Sequence, residues 1–136
     1  MTSLSAGELP VATNADVVRV RQAVRTAAAA VGFSLVDQTK IVTAASELAR
    51  NTLVHGGGGS AGIDRSFGDD GRAGLRIVFT DHGPGIADVD QAMTEGWSTG
   101  DGLGLGLSGA RRLVDEFVLH STPGEGTTVT VVKWTR

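Results

Sequence analysis

Apolar positions along this chain follow two different periods. Between residues 16 and 31, Val17, Val20, Val24, Ala27 and Val31 recur at steps of three and four, the spacing of one helix face. Asn14 is a capping residue type just before this run and Gly32 a stop just after it, so an amphipathic helix is predicted over 16–31. A second helix is predicted over 35–55. Ser34 caps it, Asp37 falls in its first turn, Ile41, Ala45, Leu48 and Thr52 form one stripe, and Gly56-Gly57-Gly58-Gly59 ends it. The period then changes to two. Leu75, Ile77 and Phe79 alternate within 74–80, and the turn-rich Gly68-Asp69-Asp70-Gly71 separates that run from 61–67, which predicts a hairpin. A short helix after Asp88, a loop over 95–106 and a helix over about 107–116, with Arg111 and Arg112 facing solvent, come next. Strands at 117–121 and 127–134 close the chain, joined by the turn Thr122-Pro123-Gly124-Glu125-Gly126.

The order α, α, β, β, short α, α, β, β predicts an α+β two-layer sandwich, with helices on one face of a mixed, mostly antiparallel sheet. At 136 residues the chain suits one domain over 1–136, with residues 1–8 as an unstructured tail. The four-glycine run is not a linker between domains, because neither flank is long enough to bury a core of its own.

Charge and composition narrow the function. The 12 Lys+Arg are scattered and the formal charge is -3, so there is no basic face for a nucleic-acid backbone. Without cysteine there are no disulfides, thiolate ligands or cysteine nucleophiles. The opening MTSLSAGELP has neither a basic region nor an apolar signal core, and the longest apolar run, 27–31, is far short of the about twenty residues that span a bilayer. A cytoplasmic protein with no membrane segment is expected. The 20 glycines are the unusual feature.

Three places along the chain carry candidate chemistry. Glu47 and Asn51 are four apart on the second helix, so they project from neighbouring turns of one face. A carboxylate there can take a proton, and an amide oxygen is a hard, uncharged donor suited to Mg²⁺ that completes its shell from phosphates and water. By itself the pair also reads as a solvated helix face. Asp81-His82-Gly83-Pro84-Gly85-Ile86 follows an apolar strand: an acceptor carboxylate at the strand end, beside a turn that lets backbone approach a flat ligand such as adenine. The bland alternative is an ordinary turn with a solvated Asp. Residues 100–109, with glycine at 100, 102, 104, 106 and 109, precede a helix, and their N–H groups can converge on a triphosphate. A flexible loop is the competing reading. No strand immediately precedes this run and no βαβ unit surrounds it, so it is not a Rossmann turn; neither Lys40 nor Lys133 follows a glycine, so it is not a Walker A loop. His55, His82 and His120 are too dispersed for a metal motif, and Ser108 lacks a Ser/His/Asp context.

With all three elements in order, the chain resembles the GHKL ATPase superfamily of histidine kinases, gyrase B, Hsp90 and MutL. Within it, Ser46-Glu47-Leu48-Ala49-Arg50-Asn51, Asp81 to Ile86, Gly102 to Gly109, Arg112-Leu113-Val114-Asp115-Glu116-Phe117 and Lys133-Trp134 are similar to the RsbT-like anti-sigma regulatory serine/threonine kinases. The resemblance covers about residues 17–136. It implies ATP and Mg²⁺ as cofactors, Glu47 as catalytic base, Asn51 as the Mg²⁺ ligand and Asp81 as the adenine acceptor. Gly83, Gly85 and Ile86 would form the adenine-side turn, Gly102, Leu103, Gly104, Leu105, Gly106 and Leu107 the phosphate lid, and Thr127 a support to adenine through water. The chain departs from the pattern at Gly56 to Gly59, where a lysine is common, at His82, where Asn or Gln is usual, and at Trp97, where Phe is usual.

The activity implied is ATP-dependent phosphorylation of a STAS-domain antagonist in a partner-switching pathway serving a general stress sigma factor, with activation of a PP2C-type phosphatase when the kinase is free, and a stressosome assembly as a further partner. A nucleotide-dependent anti-sigma factor is the alternative. Those relatives usually carry E-x-x-x-N-A and lack the closing Lys-Trp, whereas Asn51 is followed here by Thr52.

Overall fold

The structure, a computed structural model, describes residues 7–86, 93 and 106–136. Eight elements are described: β1 Gly7–Val11, α1 Asn14–Val31, α2 Leu35–Val54, β2 Gly59–Phe67, β3 Ala73–Asp81, α3 Gly106–Arg112, β4 Glu116–Thr122 and β5 Gly126–Trp134. The strands form one sheet in the order β1-β2-β3-β5-β4. Each neighbouring pair is antiparallel, so among the described residues the mostly antiparallel sheet expected is antiparallel throughout. The connections explain this. β2–β3 and β4–β5 are hairpins, and α1–α2 is a helical hairpin that returns the chain to the edge it left.

Local sequence accounts for most element ends. Thr13, not Asn14, caps α1: its hydroxyl accepts from Asp16 N–H at 3.1 Å, while Asp16 Oδ2 accepts from the N–H groups of Thr13 at 3.2 Å and Ala12 at 2.8 Å. Gly32 closes the helix at φ 106°, a left-handed conformation that suits glycine. Ser34 caps α2 as predicted. α3 stops at Arg112 rather than near 116. Asp115 N–H donates to Val132 O, and Asp115 Oδ2 accepts from Trp134 N–H at 2.8 Å, so this stretch is already bound to β5.

Residues 1–8 were expected as a tail, yet Gly7 and Glu8 open β1, which pairs with β2 from Gly7↔Ile63 to Val11↔Gly59. Pro10 fits there because β1 is an edge. The predicted alternation holds in β3: Leu75, Ile77 and Phe79 are buried under α1 and α2, together with Ala61 and Ile63 of β2 and Val129 and Val131 of β5. The short helix expected after Asp88 lies outside the described residues. No described helix is long and apolar enough to cross a membrane.

Candidate functional site

Beyond the well-packed core, α2 and the sheet separate to leave a cavity of about 310 Å³. α2 contributes Leu48, Asn51, Thr52 and His55; β3 contributes Phe79 and Asp81; β5 contributes Thr127 and Val129; Pro84, Gly85 and Ile86 line the turn, and Leu107 comes from α3. These positions follow from element periods. Leu48, Asn51, Thr52 and His55 form one helical stripe at steps of three and four, while Phe79/Asp81 and Thr127/Val129 alternate onto the same face of the sheet. The result is a largely apolar slot with, among the described residues, a single carboxylate, suited to a flat heteroaromatic ring with an exocyclic donor.

Asp81 is 9% exposed, and its Oδ1 accepts from Gly83 N–H at 2.9 Å and from Thr127 N–H at 3.2 Å. Among the described residues both bonds fall on Oδ1, which orients the carboxylate and leaves Oδ2 to accept from a ligand. Gly56 packs directly on this side chain: a Cβ at residue 56 would overlap Asp81 Cβ, Cγ and Oδ2. The first glycine of the run after α2 is therefore a wall of the site.

The turn after Asp81 is bolted to the β4–β5 hairpin. Gly85, at φ 78°, lies so close to Thr122 O that a side chain would clash there. Gly124 N–H donates to Pro84 O at 2.7 Å, and Ile86 N–H donates to Ser121 Oγ at 2.6 Å. Ser121 stands opposite Thr127 in the ladder, and their hydroxyls share a hydrogen bond of 2.8 Å. A continuous polar path thus runs from the Ile86 amide through Ser121 and Thr127 to Asp81.

Of the residues singled out by sequence, the structure brings Asn51, Asp81, Gly85, Ile86, Leu107 and Thr127 around this cavity. Gly83 supports it by donating to Asp81, and Gly106 is the first residue of α3. Glu47 is half-buried one turn before Asn51 and does not line the cavity. Gly102, Leu103, Gly104 and Leu105 lie outside the described residues. Sequence reasoning missed Ser121, Gly56, Leu48, Thr52, Phe79 and Val129 as site residues. The last four were legible as same-face neighbours of Asn51, Asp81 and Thr127; Ser121 and Gly56 depend on pairing and packing between distant segments. Among the described residues no group of three or more His, Asp or Glu side chains gathers to hold a metal.

Comparison with known proteins agrees with this architecture. Residues 11–133 match the model of the histidine kinase-like ATPase domain family. The chain is 48% identical to the serine/threonine-protein kinase RsbT of Bacillus subtilis (strain 168) over 124 residues, 91% of this chain and 92% of that protein. It is 33% identical over 99 residues to the anti-sigma F factor of Caldanaerobacter subterraneus subsp. tengcongensis, 69% of this chain and 68% of that protein. Among solved structures, the RsbU and RsbW domains of Rv1364c from Mycobacterium tuberculosis superpose with a TM-score of 0.59 at 23% identity, covering 95% of this chain and 33% of that one. This likeness concerns the fold.

Proposed function

The chain belongs to the histidine kinase-like ATPase domain family and, within it, to the RsbT-like serine/threonine-protein kinases; from that premise we propose that it transfers the γ-phosphoryl group of ATP to a serine hydroxyl of a STAS-domain antagonist, and that the free kinase activates a PP2C-type phosphatase. The observation that carries the proposal is the apolar cavity in which Asp81, oriented by Thr127 and Gly83, faces Asn51 of α2.

In this reading the adenine ring lies between Leu48 and Phe79 on one side and Ile86 and Leu107 on the other, and its exocyclic amine donates to Asp81 Oδ2. Thr127, tied to Ser121, supports the ring edge, directly or through a water. The phosphates extend past Asn51 toward the start of α3 at Gly106 and Leu107. Mg²⁺ fits these residues as an ion brought in by the nucleotide, because Asn51 offers one neutral oxygen and the described residues hold no carboxylate cage; when bound, it supplies charge neutralisation at the phosphates. Glu47, one turn away, takes the seryl proton as the seryl oxygen bonds to the γ-phosphorus and the bond to the β-phosphate oxygen breaks, releasing ADP. His55, rather than a lysine, ends α2 at this site, and Gly56 fills the space beside Asp81.

The test is incubation with labelled ATP, Mg²⁺ and the STAS-domain proteins of the same genome. Label is expected on a serine of one of them, and Glu47→Ala is expected to bind ATP normally while losing transfer by about a hundredfold or more. Undiminished transfer by Glu47→Ala would remove Glu47 as the base. The anti-sigma relatives favour one second reading, a nucleotide-dependent binder of a sigma factor. A complex with a sigma factor that survives only with nucleotide, and no labelled serine, would put that reading first.

A further inference from the structure

Lys133 belongs to the Lys-Trp pair near the end of the chain and has no part in the chemistry above. It is 2% exposed, on the core face of β5 opposite Leu75, and its Nζ lies 3.7 Å from Asp37 Oδ1. Asp37 is itself buried, in the first turn of α2. Arg136, more exposed, extends the cluster, with Nε 4.0 Å from Asp37 Oδ2 and a guanidinium nitrogen 3.3 Å from Asp115 Oδ1.

A buried ion pair gives little net stability over apolar residues of the same size, because both charges lose their hydration. Its best-attested use is to permit one alignment and penalise its neighbours. That use has a specific object here. Asp37 and Asn51 are fourteen residues apart on α2, about 21 Å along the axis at close to four whole turns, so both face the sheet. Lys133 and Thr127 are six apart on β5, about 20 Å along the strand and on the same face. The ion pair and the cavity are thus the two ends of matched runs. Between them the apolar face of α2 is smooth: three of its six buried apolar residues, Ala44, Ala45 and Ala49, are alanine. Small side chains interlock weakly, and a screw step of one residue moves the helix only about 1.5 Å while turning it by about 100°. That step would carry Asn51 out of the cavity.

We propose that Lys133, through its buried pair with Asp37, is a positioning residue that sets the screw register of α2 on the sheet and thereby places Asn51 opposite Asp81 and Thr127. The functional half of the proposal rests on the nucleotide-site reading; the register half does not.

The chain has no cysteine, so spin labels can be introduced at two exposed sites, residue 40 on α2 and residue 76 on β3. The parent is expected to give one narrow distance distribution. Lys133→Met combined with Asp37→Leu removes both charges without stranding either, and is expected to fold but to broaden or shift that distribution. The same variant is expected to bind ATP about tenfold more weakly, the worth of one charge-assisted contact misplaced. Lys133→Arg, which keeps the charge, is expected to retain the narrow distribution and the affinity. Should the double variant fail to fold, Lys133→Gln combined with Asp37→Asn gives the same readouts with both charges removed and polar side chains kept in their place. An unchanged distribution together with unchanged affinity in the charge-free variant would overturn the proposal. A shifted distribution in a protein whose parent binds no ATP would keep the register role and overturn the nucleotide reading instead.

Discussion

Replacing Gly56 with alanine separates two expectations of opposite sign. Gly56 is not in the left-handed region of backbone space, so by chain entropy alone Gly56→Ala is expected to stabilise by about 0.4–1 kcal/mol. The structure predicts the reverse. The new Cβ would overlap Asp81, and that side chain is pinned by N–H groups of Gly83 and Thr127, so relief requires backbone movement between α2 and β3. Overpacking of this kind costs about 1–3 kcal/mol, which leaves a net loss of about 1–2 kcal/mol. With a urea dependence of about 1–1.5 kcal/mol per molar for a domain of this size, the unfolding midpoint should fall by roughly 1 M. Nucleotide affinity should fall with it, by about tenfold or more, because the displaced group is the proposed adenine acceptor. Gly57→Ala is the control. Gly57 is left-handed at φ 72° with open space where a Cβ would point, so alanine there should cost about 1–2 kcal/mol while leaving nucleotide affinity intact. A Gly56→Ala protein that is more stable than the parent and binds ATP equally well would refute the packing of Gly56 on Asp81.

Two further outcomes follow from particular contacts. Ser121→Ala removes the acceptor of the Ile86 amide and the partner of Thr127, and should cost about 1–2 kcal/mol of stability. Amide exchange at Ile86 should then rise by about tenfold, and an unaltered rate would show that Ser121 does not hold the turn. The Asp16 carboxyl is held below the ordinary aspartate range, first by the Ala12 N–H, against a smaller cost of burial, then by the Thr13 N–H and the Arg19 guanidinium. A lowered carboxyl value means that the stabilisation is present above the unfolded-state value of about 3.9 and is lost as pH falls through the folded value. The stability difference between the parent and Asp16→Asn should therefore be full at neutral pH and shrink below about pH 4. A difference that stays constant from pH 7 to pH 3 would count against this cap.

Features with a local cause were legible in the sequence. The stripes of α1 and α2, the alternation of Leu75, Ile77 and Phe79, and the Ser34 cap each depend on neighbours within one turn or one strand. Asn51 and Asp81 were found because each sits at a recognisable place in its own element. Pairing and packing between distant segments were not legible. β1 is a short, proline-containing run whose strand character comes from its ladder with β2. Ser121 becomes a site residue because register sets it opposite Thr127, and Gly56 because the end of α2 lands on Asp81. Even at short range one cap was misplaced. Asn14 is the stronger capping type, but Thr13 is three residues before Asp16, and the reciprocal bonds of that pair decide where α1 starts.

Recognition of the nucleotide base by the Asp81 carboxylate is tested by calorimetric titration of ATP with Mg²⁺ into Asp81→Asn. Both backbone donors fall on Oδ1, so the asparagine must turn its carbonyl oxygen to them and its NH₂ toward the cavity. A donor would then meet the donor amine of adenine. Affinity is predicted to fall by about a hundredfold or more while the unfolding midpoint changes little, since both backbone bonds survive. A folded Asp81→Asn protein that binds ATP as tightly as the parent would show that Asp81 is not the acceptor of the base.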